Sequence, residues 1–500
     1  MRVSTHLHAS LSTNFASLTE NVPAIREIQI PQNNSQPLAI SSDANGSIWF
    51  AETNPAAIVN YDPLAKSFGR FPVPTSNESG LIWFLIIDGT EIWFSCSNEP
   101  LLWSFSTRTL KFSNYSTGNP SILPYSLALD SATSQIWFTS IYTDQIGAFQ
   151  INSGGLASLV KLVNLTQPVL EAKTLGPKYG PSGVDIGSNG NVFVTETLTS
   201  SIVEYNQTSE RFEHFWNLKP GSQPVGIAVN DSSDLIWFTN HASSQIGSVD
   251  EKSGVLQSYA TSLFSYNYST SGSTYVDTLP YWIQLSSHGM VWFDEHVGNK
   301  IARLNPSSGE LTEFIVPTPQ SSPLRFDLDE QTGLVWFTEF QGNKLGIMDE
   351  NQSSGLRVNI SPKDAKLASQ PTNITVNSPG MINLSALSVS GTLARDGNIT
   401  GNLTLSFVSL NSSAYEISLS KTPGLGTGNY SLTICLADQM KIARACGIVL
   451  LNVLPDIPGE GSQPVEIVLA LIVLGVGVVA FFRRTRGKFG FNKKESISSS

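Results

Sequence analysis

The stretch SPLRFDLDEQTGLVWFTEFQGNKLGIMD, Ser322 to Asp349, carries the tripeptide Val335-Trp336-Phe337, and the same apolar-aromatic unit recurs along the chain. It stands at Ile48-Trp49-Phe50, Ile92-Trp93-Phe94, Ile136-Trp137-Phe138, Val192-Phe193-Val194, Ile236-Trp237-Phe238 and Val291-Trp292-Phe293. Successive anchors lie 44, 44, 56, 44, 55 and 44 residues apart, a period of 44 with two insertions. Nine residues after each anchor aromatic comes an aliphatic residue: Ile58, Leu102, Ile146, Ile202, Ile246, Ile301 and Leu345. A register held at all seven positions is the signature of a repeat architecture, and it takes precedence over any local reading.

Within one period the apolar runs are short, aromatic or β-branched, and cut by turn clusters such as Asp43-Ala-Asn-Gly46 and Asn305-Pro-Ser-Ser-Gly309. That pattern gives four strands and no helix per repeat, which is a propeller blade. Seven blades close into a ring, with the anchor Trp and Phe side chains as the core between blades rather than as a surface platform. Before the first anchor, Ile25-Arg-Glu-Ile-Gln-Ile-Pro31 matches the fourth-strand pattern of Leu311-Thr-Glu-Phe-Ile-Val-Pro317. It is therefore expected to complete the last blade and staple the ring, ahead of its competitor Leu356-Arg-Val-Asn-Ile360. The fold class expected is all-β: a seven-bladed β-propeller over residues 24–350, an immunoglobulin-like β-sandwich over 356–454, and one C-terminal transmembrane helix.

The sandwich rests on alternating segments such as Asn402-Leu-Thr-Leu-Ser-Phe-Val and Tyr430-Ser-Leu-Thr-Ile-Cys-Leu, in a region where the 44-residue pattern stops. Cys435 and Cys446 are symmetric about Met440 and Lys441, so a hairpin turning there sets them opposite each other for a disulfide. Residues 455–464 form a Pro/Gly linker. Ile467 to Phe482 is then free of charge and followed by Arg483, Arg484, Arg486, Lys488, Lys493 and Lys494. Sixteen residues rise about 24 Å as a helix, so flanking residues complete a span of roughly 30 Å. Segment 465–482 reads as a stop-transfer helix with a basic cytoplasmic tail at 483–500, or as a sorting signal that is cut and replaced by an anchor.

Composition agrees with an exterior location. Only 14% of the 500 residues are charged, and the net charge is −11. The tail carries +5, which leaves −16 on residues 1–482. No basic stripe exists for a phosphate backbone, so nucleic acid is excluded as a partner. Three cysteines are too few for a disulfide-dense scaffold or a thiolate zinc cluster. Sixteen Asn-x-Ser/Thr sequons, Asn45, Asn114, Asn267 and Asn402 among them, suit a glycosylated surface such as an archaeal envelope. Residues 1–23 lack the apolar core of a signal peptide, and are read as a poorly ordered segment or a wrongly assigned start.

Together with IWFxE and GNKIARLNPSSGELTEFIVPTP (Gly298 to Pro319), the opening stretch resembles the streptogramin B lyase (virginiamycin B lyase) family of seven-bladed propellers, over roughly residues 24 to 350. The resemblance implies a lyase that opens a cyclic depsipeptide antibiotic with a histidine base beside a magnesium held by glutamates. The base follows a Pro on the innermost strand, and one metal-binding Glu sits three residues after the anchor Trp. The Pro-plus-one positions here are Leu38, Tyr125, Ser182, Val225, Tyr281 and Leu324, with Leu81 or Ile82 near the corresponding place in blade two, and none is a histidine. The second metal-binding Glu has no counterpart at Ser322 or Leu279. The Trp-plus-three position holds Glu52, Cys96, Ser140, Glu196, Asn240, Glu295 and Glu339. A missing base removes the roughly 10²–10⁴-fold that general-base catalysis supplies.

Strand alternation puts the Trp-plus-three residues and both insertions, about Val163 to Lys178 and about Thr261 to Thr278, on one face of the ring. On that face Glu295, His296, His241 and Glu339 are candidate ligands for a divalent metal, with Glu196 and Glu52 as further candidate site residues. Two histidines and two carboxylates suit zinc or manganese, and the family resemblance adds magnesium. The alternative is that the glutamates accept hydrogen bonds from turn backbone and from Lys300 or Lys344. Phe264, Tyr266, Tyr268 and Tyr275 in the second insertion are candidate binding-loop residues, or part of a glycosylated lid at Asn267. The functional expectation is a cell-surface, membrane-anchored propeller for binding an extracellular ligand or scaffolding an envelope. The alternative is a metal-dependent lyase or hydrolase on an extracellular substrate.

Overall fold

Seven antiparallel four-stranded blades account for the seven anchors, six as separate sheets and blade six as part of a nine-stranded one. The computed structural model describes residues 25–455, apart from 77–79, 153, 167–177, 262–265, 269–272, 276–277, 352–358, 362–363, 368–371, 378–386, 396–397, 404–407, 412–413, 420–425 and 439–442. The segment 465–482, the tail 483–500, residues 1–24 and all of the linker but Pro455 lie outside the described residues. Among the described residues no helix is long and apolar enough to cross a membrane.

Each blade meanders outward from a first strand at the ring axis. These innermost strands are Pro37–Ser42, Phe84–Asp88, Leu127–Asp130, Pro181–Ile186, Pro224–Asn230, Pro280–Leu285 and Pro323–Asp329. They touch one another in sequence around a closed circle. The second strand of each blade carries the anchor, and its Trp packs against the anchor of the next blade. Trp93 meets Ile136 and Phe138, Trp237 meets Val291 and Phe293, and Trp336 meets Ile48 and Phe50 across the closure. The 44-residue period is thus the spacing of seven inter-blade cores, each one Trp or Phe deep. The anchor Phe also fixes its own third strand: a Cβ on Gly147, Gly247 or Gly346 would fall within 2.4 Å of the ring of Phe138, Phe238 or Phe337.

Two polar devices repeat beside this core. Two residues after the anchor aromatic, a hydroxyl donates to an innermost-strand carbonyl of the next blade: Ser95 to Tyr125, Thr139 to Ser182, Thr195 to Val225, Thr239 to Tyr281 and Thr338 to Leu38, at 2.7–3.0 Å. Two residues before the aliphatic position, Asp144, Ser200, Ser244, Asn299 and Asn343 adopt φ of 53–57°, the left-handed region. Their side chains catch the loop that enters the next blade. Asp144 accepts from the Tyr179 and Gly180 amides at 2.9 and 3.0 Å, and Ser244 Oγ accepts from Thr278 N at 2.9 Å. Both insertions are pinned at their bases in this way.

The ring closes as expected. Arg26–Gln29 is the fourth strand of blade seven, pairing antiparallel with Lys344–Asp349. Lys344 Nζ lies 2.5 Å from Glu27 Oε2, and Glu27 Oε1 accepts from Thr318 N at 2.6 Å. The competing segment goes elsewhere: Asn359–Ser361 pairs with Thr372–Asn377.

Beyond blade seven, nine strands form two groups. One sheet holds Asn359–Ser361, Thr372–Asn377, Ala414–Leu419 and Val408–Asn411 in that order. The other runs from Ala443–Val453 through Gly428–Asp438 and Leu387–Arg395 to Asn398–Leu403, with Asp364–Leu367 parallel to Ala443–Val453. The hairpin register sets Cys435 opposite Cys446, as the sequence symmetry requires. Ala443–Val453 also pairs with Glu310–Ile315, the outer strand of blade six, and so covers an edge that would otherwise be open.

Candidate functional site

The register fixes which residues share the loop-bearing face. Glu52 pairs with Pro37, Glu196 with Pro181, Glu295 with Pro280 and Glu339 with Pro323, so all four end their strands at one face of the ring. Ala260, which precedes the second insertion, is in register with Gln245, and Gln245 with Asn240, so that insertion opens on the same face.

The four glutamates do not converge. Each is buried within its own blade. Glu52 receives Arg70 Nε at 2.6 Å. Glu196 accepts from Thr199 and Ser201 at 2.9 and 2.8 Å. Glu295 shares the fully buried Lys300 with Glu313, at 3.0 and 3.4 Å. Glu339 lies against Gly342, where a Cβ would come within 2.5 Å of its Oε2. Burial pushes Glu196 up to about 7 and Glu339 to about 8, and Glu295 is pushed up to about 8 by burial and by Glu313. Among the described residues no three His, Cys, Asp or Glu side chains come together as a metal site. The expected set of Glu295, His296, His241 and Glu339 therefore separates, and of the two lysine partners only Lys300 is taken up, since Lys344 turns to Glu27. Glu295 and His296 are neighbours in sequence, yet Glu295 turns to Lys300 while His296 turns to His241.

The histidines do meet. His241 opens a short turn after blade five's second strand, and His296 follows blade six's. Their Nε2 atoms are 3.1 Å apart, with rings 15° from parallel. Tyr281 stands edge-on to both, at 6.0 Å from each. Its hydroxyl bonds to that of Tyr125. Burial lowers His241 to about 4, and burial together with His241 lowers His296 to about 3, so both rings are neutral at neutral pH.

At the axis, the positions of the family's base are filled. Leu38, Tyr281 and Leu324 are buried together, with Trp83, Val225, Trp282 and Phe340 against them. In blade two Leu85 pairs with Phe94, as Ile40 pairs with Phe50 in blade one, so Trp83 holds the Pro-plus-one place instead of Leu81 or Ile82. One residue further along, the sequence reading missed Arg325. Its guanidinium carbon lies 3.5 Å from the ring centre of Phe84 and 4.0 Å from that of Trp282. The side chain is 3% exposed, and none of its three nitrogens meets a hydrogen-bond acceptor among the described residues. Its signal was available: the corresponding residues of the other blades are Ala39, Phe84, Ser126, Gly183, Gly226 and Trp282, none of them charged. Below this layer a cavity of about 440 Å³ opens toward the opposite face, with Trp282, Gln284, Asp185 and Asp327 in its wall.

In the binding-loop insertion, Tyr266–Tyr268 and Ser273–Tyr275 form a hairpin with Tyr266 opposite Tyr275 and Tyr268 opposite Ser273. Phe264 lies outside the described residues.

The model of the virginiamycin B lyase family matches residues 23–259 and 167–400. The chain belongs to that family. Solved structures agree on the fold. A streptogramin B lyase structure superposes with a TM-score of 0.53 at 22% identity, covering 65% of this chain and 96% of that one. A virginiamycin B lyase from Staphylococcus aureus gives 0.53 at 21%, covering 65% and 98%. A catalytically inactive form of the Staphylococcus aureus enzyme with quinupristin gives 0.53 at 20% identity, covering 65% and 98%. No curated protein matches the chain. Within the virginiamycin B lyase family this chain departs at the magnesium site. No Pro-plus-one position holds a histidine, neither Ser322 nor Leu279 is a glutamate, and Glu339 is fully buried, so the residues present do not fit the ion as the resemblance describes it.

Proposed function

We propose that this chain is a cell-surface binding protein built on a lyase fold, with the propeller displayed outside the cell and no elimination chemistry of its own. The observation that carries the reading is the axis: every Pro-plus-one position lacks a histidine, and Leu38, Tyr281 and Leu324 pack together there with Trp83 against them. A general base must come within hydrogen-bond reach of the proton it takes, and none of the residues at the family's base position can act as one.

The remaining parts of the reading concern display. The two C-terminal sheets are read as an immunoglobulin-like sandwich, a reading supported by nine short strands in two groups. A Cys435–Cys446 disulfide follows from their opposed register, since cross-strand Cα atoms at about 4.5–5.5 Å suit that bond. The apolar segment 465–482 and its basic flank make the membrane anchor, and the sequons make the body a glycoprotein of an archaeal-type envelope. The ligand face is the one that carries the Tyr266–Tyr275 hairpin and the histidine pair. A hydrolytic or lyase reading draws on one observation, the converging His241 and His296.

Intact cells carrying the full chain test the display. An impermeant amine reagent should label lysines of the propeller and spare Lys488, Lys493 and Lys494. Labelling of the tail lysines on unbroken cells would reverse the orientation, and labelling of neither would place the body inside.

A further inference from the structure

The geometry points to a second binding site, for a small organic cation with a hydrocarbon body, in the cavity at the end of the channel opposite the insertions. It is separate from the face that carries the histidine pair, and it stands whether or not that face takes a ligand.

The cavity measures about 440 Å³, and the innermost strands of blades two to seven supply its wall. Asp185, Gln284 and Asp327 are each in register with the middle residue of their own blade's anchor, Phe193, Trp292 and Trp336, so the three polar residues stand at one height in the channel. Trp282 lies two residues nearer the insertions on the same strand as Gln284, which is about 7 Å deeper at the usual rise of a strand. Between these levels the wall is apolar, with Leu127, Val184, Ile227 and Ile283. A mostly apolar cavity with a few polar groups fixed at one level is the usual form of a small-molecule site.

Charge selects the ligand. Both carboxylates are held by the blade that follows their own. Asp185 Oδ2 accepts from Val229 N at 2.8 Å and its Oδ1 from Ile186 N at 2.9 Å, while Asp327 Oδ2 accepts from Ser42 N at 2.8 Å and Ser42 Oγ at 2.7 Å. These bonds orient the groups without exhausting them, since an ionised carboxylate offers about four acceptor sites. Burial pushes Asp185 up to about 6, which leaves it mainly ionised at neutral pH. Around the mouth, the turns that join first to second strands, with the residues flanking them, hold Asp43, Asp88, Asp130, Asp231, Asp329 and Glu330, and no Lys or Arg stands in any of them. A cleft lined by one sign of charge concentrates ligands of the other. Arg325 stacks on Trp282 and takes no part in the wall.

An inorganic ion fits this cavity poorly. Asp185 and Asp327 belong to blades four and seven, far apart around the ring, and among the described residues no three His, Cys, Asp or Glu side chains gather round one point. Calcium takes roughly six to eight oxygen ligands, which two separated carboxylates in an apolar wall do not supply. An ammonium group needs only one of them, with its hydrocarbon body running along the apolar wall to Trp282. The 2-phenylethylammonium ion has that reach.

Equilibrium dialysis of labelled 2-phenylethylamine against the full-length protein in lipid nanodiscs, with empty discs as the blank, tests the site. A single equivalent should bind, and 3-phenylpropionate, a similar body with a negative charge, should not displace it. Asp185→Asn and Asp327→Asn should each weaken binding about 10-fold or more, the usual loss for one hydrogen bond to a charged group. The comparison of amine with propionate needs no variant, so it holds even where an Asn substitution loosens the contact between blades. Propionate binding as well as the amine would show that charge does not select the ligand. Displacement of the amine by an equal concentration of calcium would make the cavity a metal site, and unchanged affinity in both variants would put the amine elsewhere. Each of these overturns the inference, as does a protein that takes up no amine.

Discussion

Glu339 titrates well above the ordinary range of a carboxyl. Its carboxyl is fully buried, and that desolvation raises it from the ordinary 4.5 to about 8, with Glu27 adding to the effect. The folded chain then keeps a proton that the unfolded chain releases between about pH 4.5 and about pH 8. Stability should fall as pH rises through that window, because the folded state binds more protons. Glu339→Gln should flatten this part of the profile and gain most at pH 8, read as melting temperatures of both proteins at pH 5 and pH 8. Equal losses in both would mean that Glu339 titrates normally. The sequence marked Glu339 and Glu295 by position in the repeat, but position gave no partner. That Glu295 shares Lys300 with Glu313 depends on the third and fourth strands of blade six, which the anchor pattern does not encode.

At the scale of the strand, the 44-residue period was legible because every inter-blade core needs one large aromatic at one place. Close approaches within a blade are as constrained but less visible. Gly346 has Phe337 against it, so that a Cβ would lie 1.9 Å from the ring. Gly346→Ala should destabilise by about 1–3 kcal/mol, the usual cost of overpacking, measured as a shift in denaturant midpoint. No shift would mean that the Phe337 ring can move aside. The second insertion is the opposite case. Thr261 and Thr278 are buried at its base, their hydroxyls 2.5 Å apart, and Ser244 holds both. Removing residues 262–277 and joining the ends through one glycine should leave the melting temperature within a few degrees, since loop length costs little. Unfolding of that variant would make the insertion part of the ring's core. Its boundaries were legible from the break in the period. The left-handed residues that pin it were not, because Asp144, Ser200, Ser244, Asn299 and Asn343 share a backbone conformation and not a residue type.

For the whole molecule, the N-terminal strand closes blade seven as its match to Leu311–Pro317 implied. Pairing of Ala443–Val453 with blade six could not be read in advance, because two distant edge strands leave no common period. The axis was legible in one respect, the missing histidines, and hidden in another, Arg325. A buried guanidinium without an acceptor carries a desolvation cost that stacking on Phe84 and Trp282 offsets only in part. Arg325→Met keeps the volume and should raise the melting temperature or leave it unchanged. A loss of several degrees would show that the cation is paired in solution. On the proposed function, this family member has exchanged its reacting centre for a packed axis. The most direct test is to incubate the full-length protein with quinupristin and magnesium and follow the antibiotic by mass spectrometry and chromatography. Elimination is isomeric, so the two forms are separated by retention time and fragmentation. The ring form should persist as in buffer alone, and linear product forming in proportion to protein concentration would show that the reacting centre is kept.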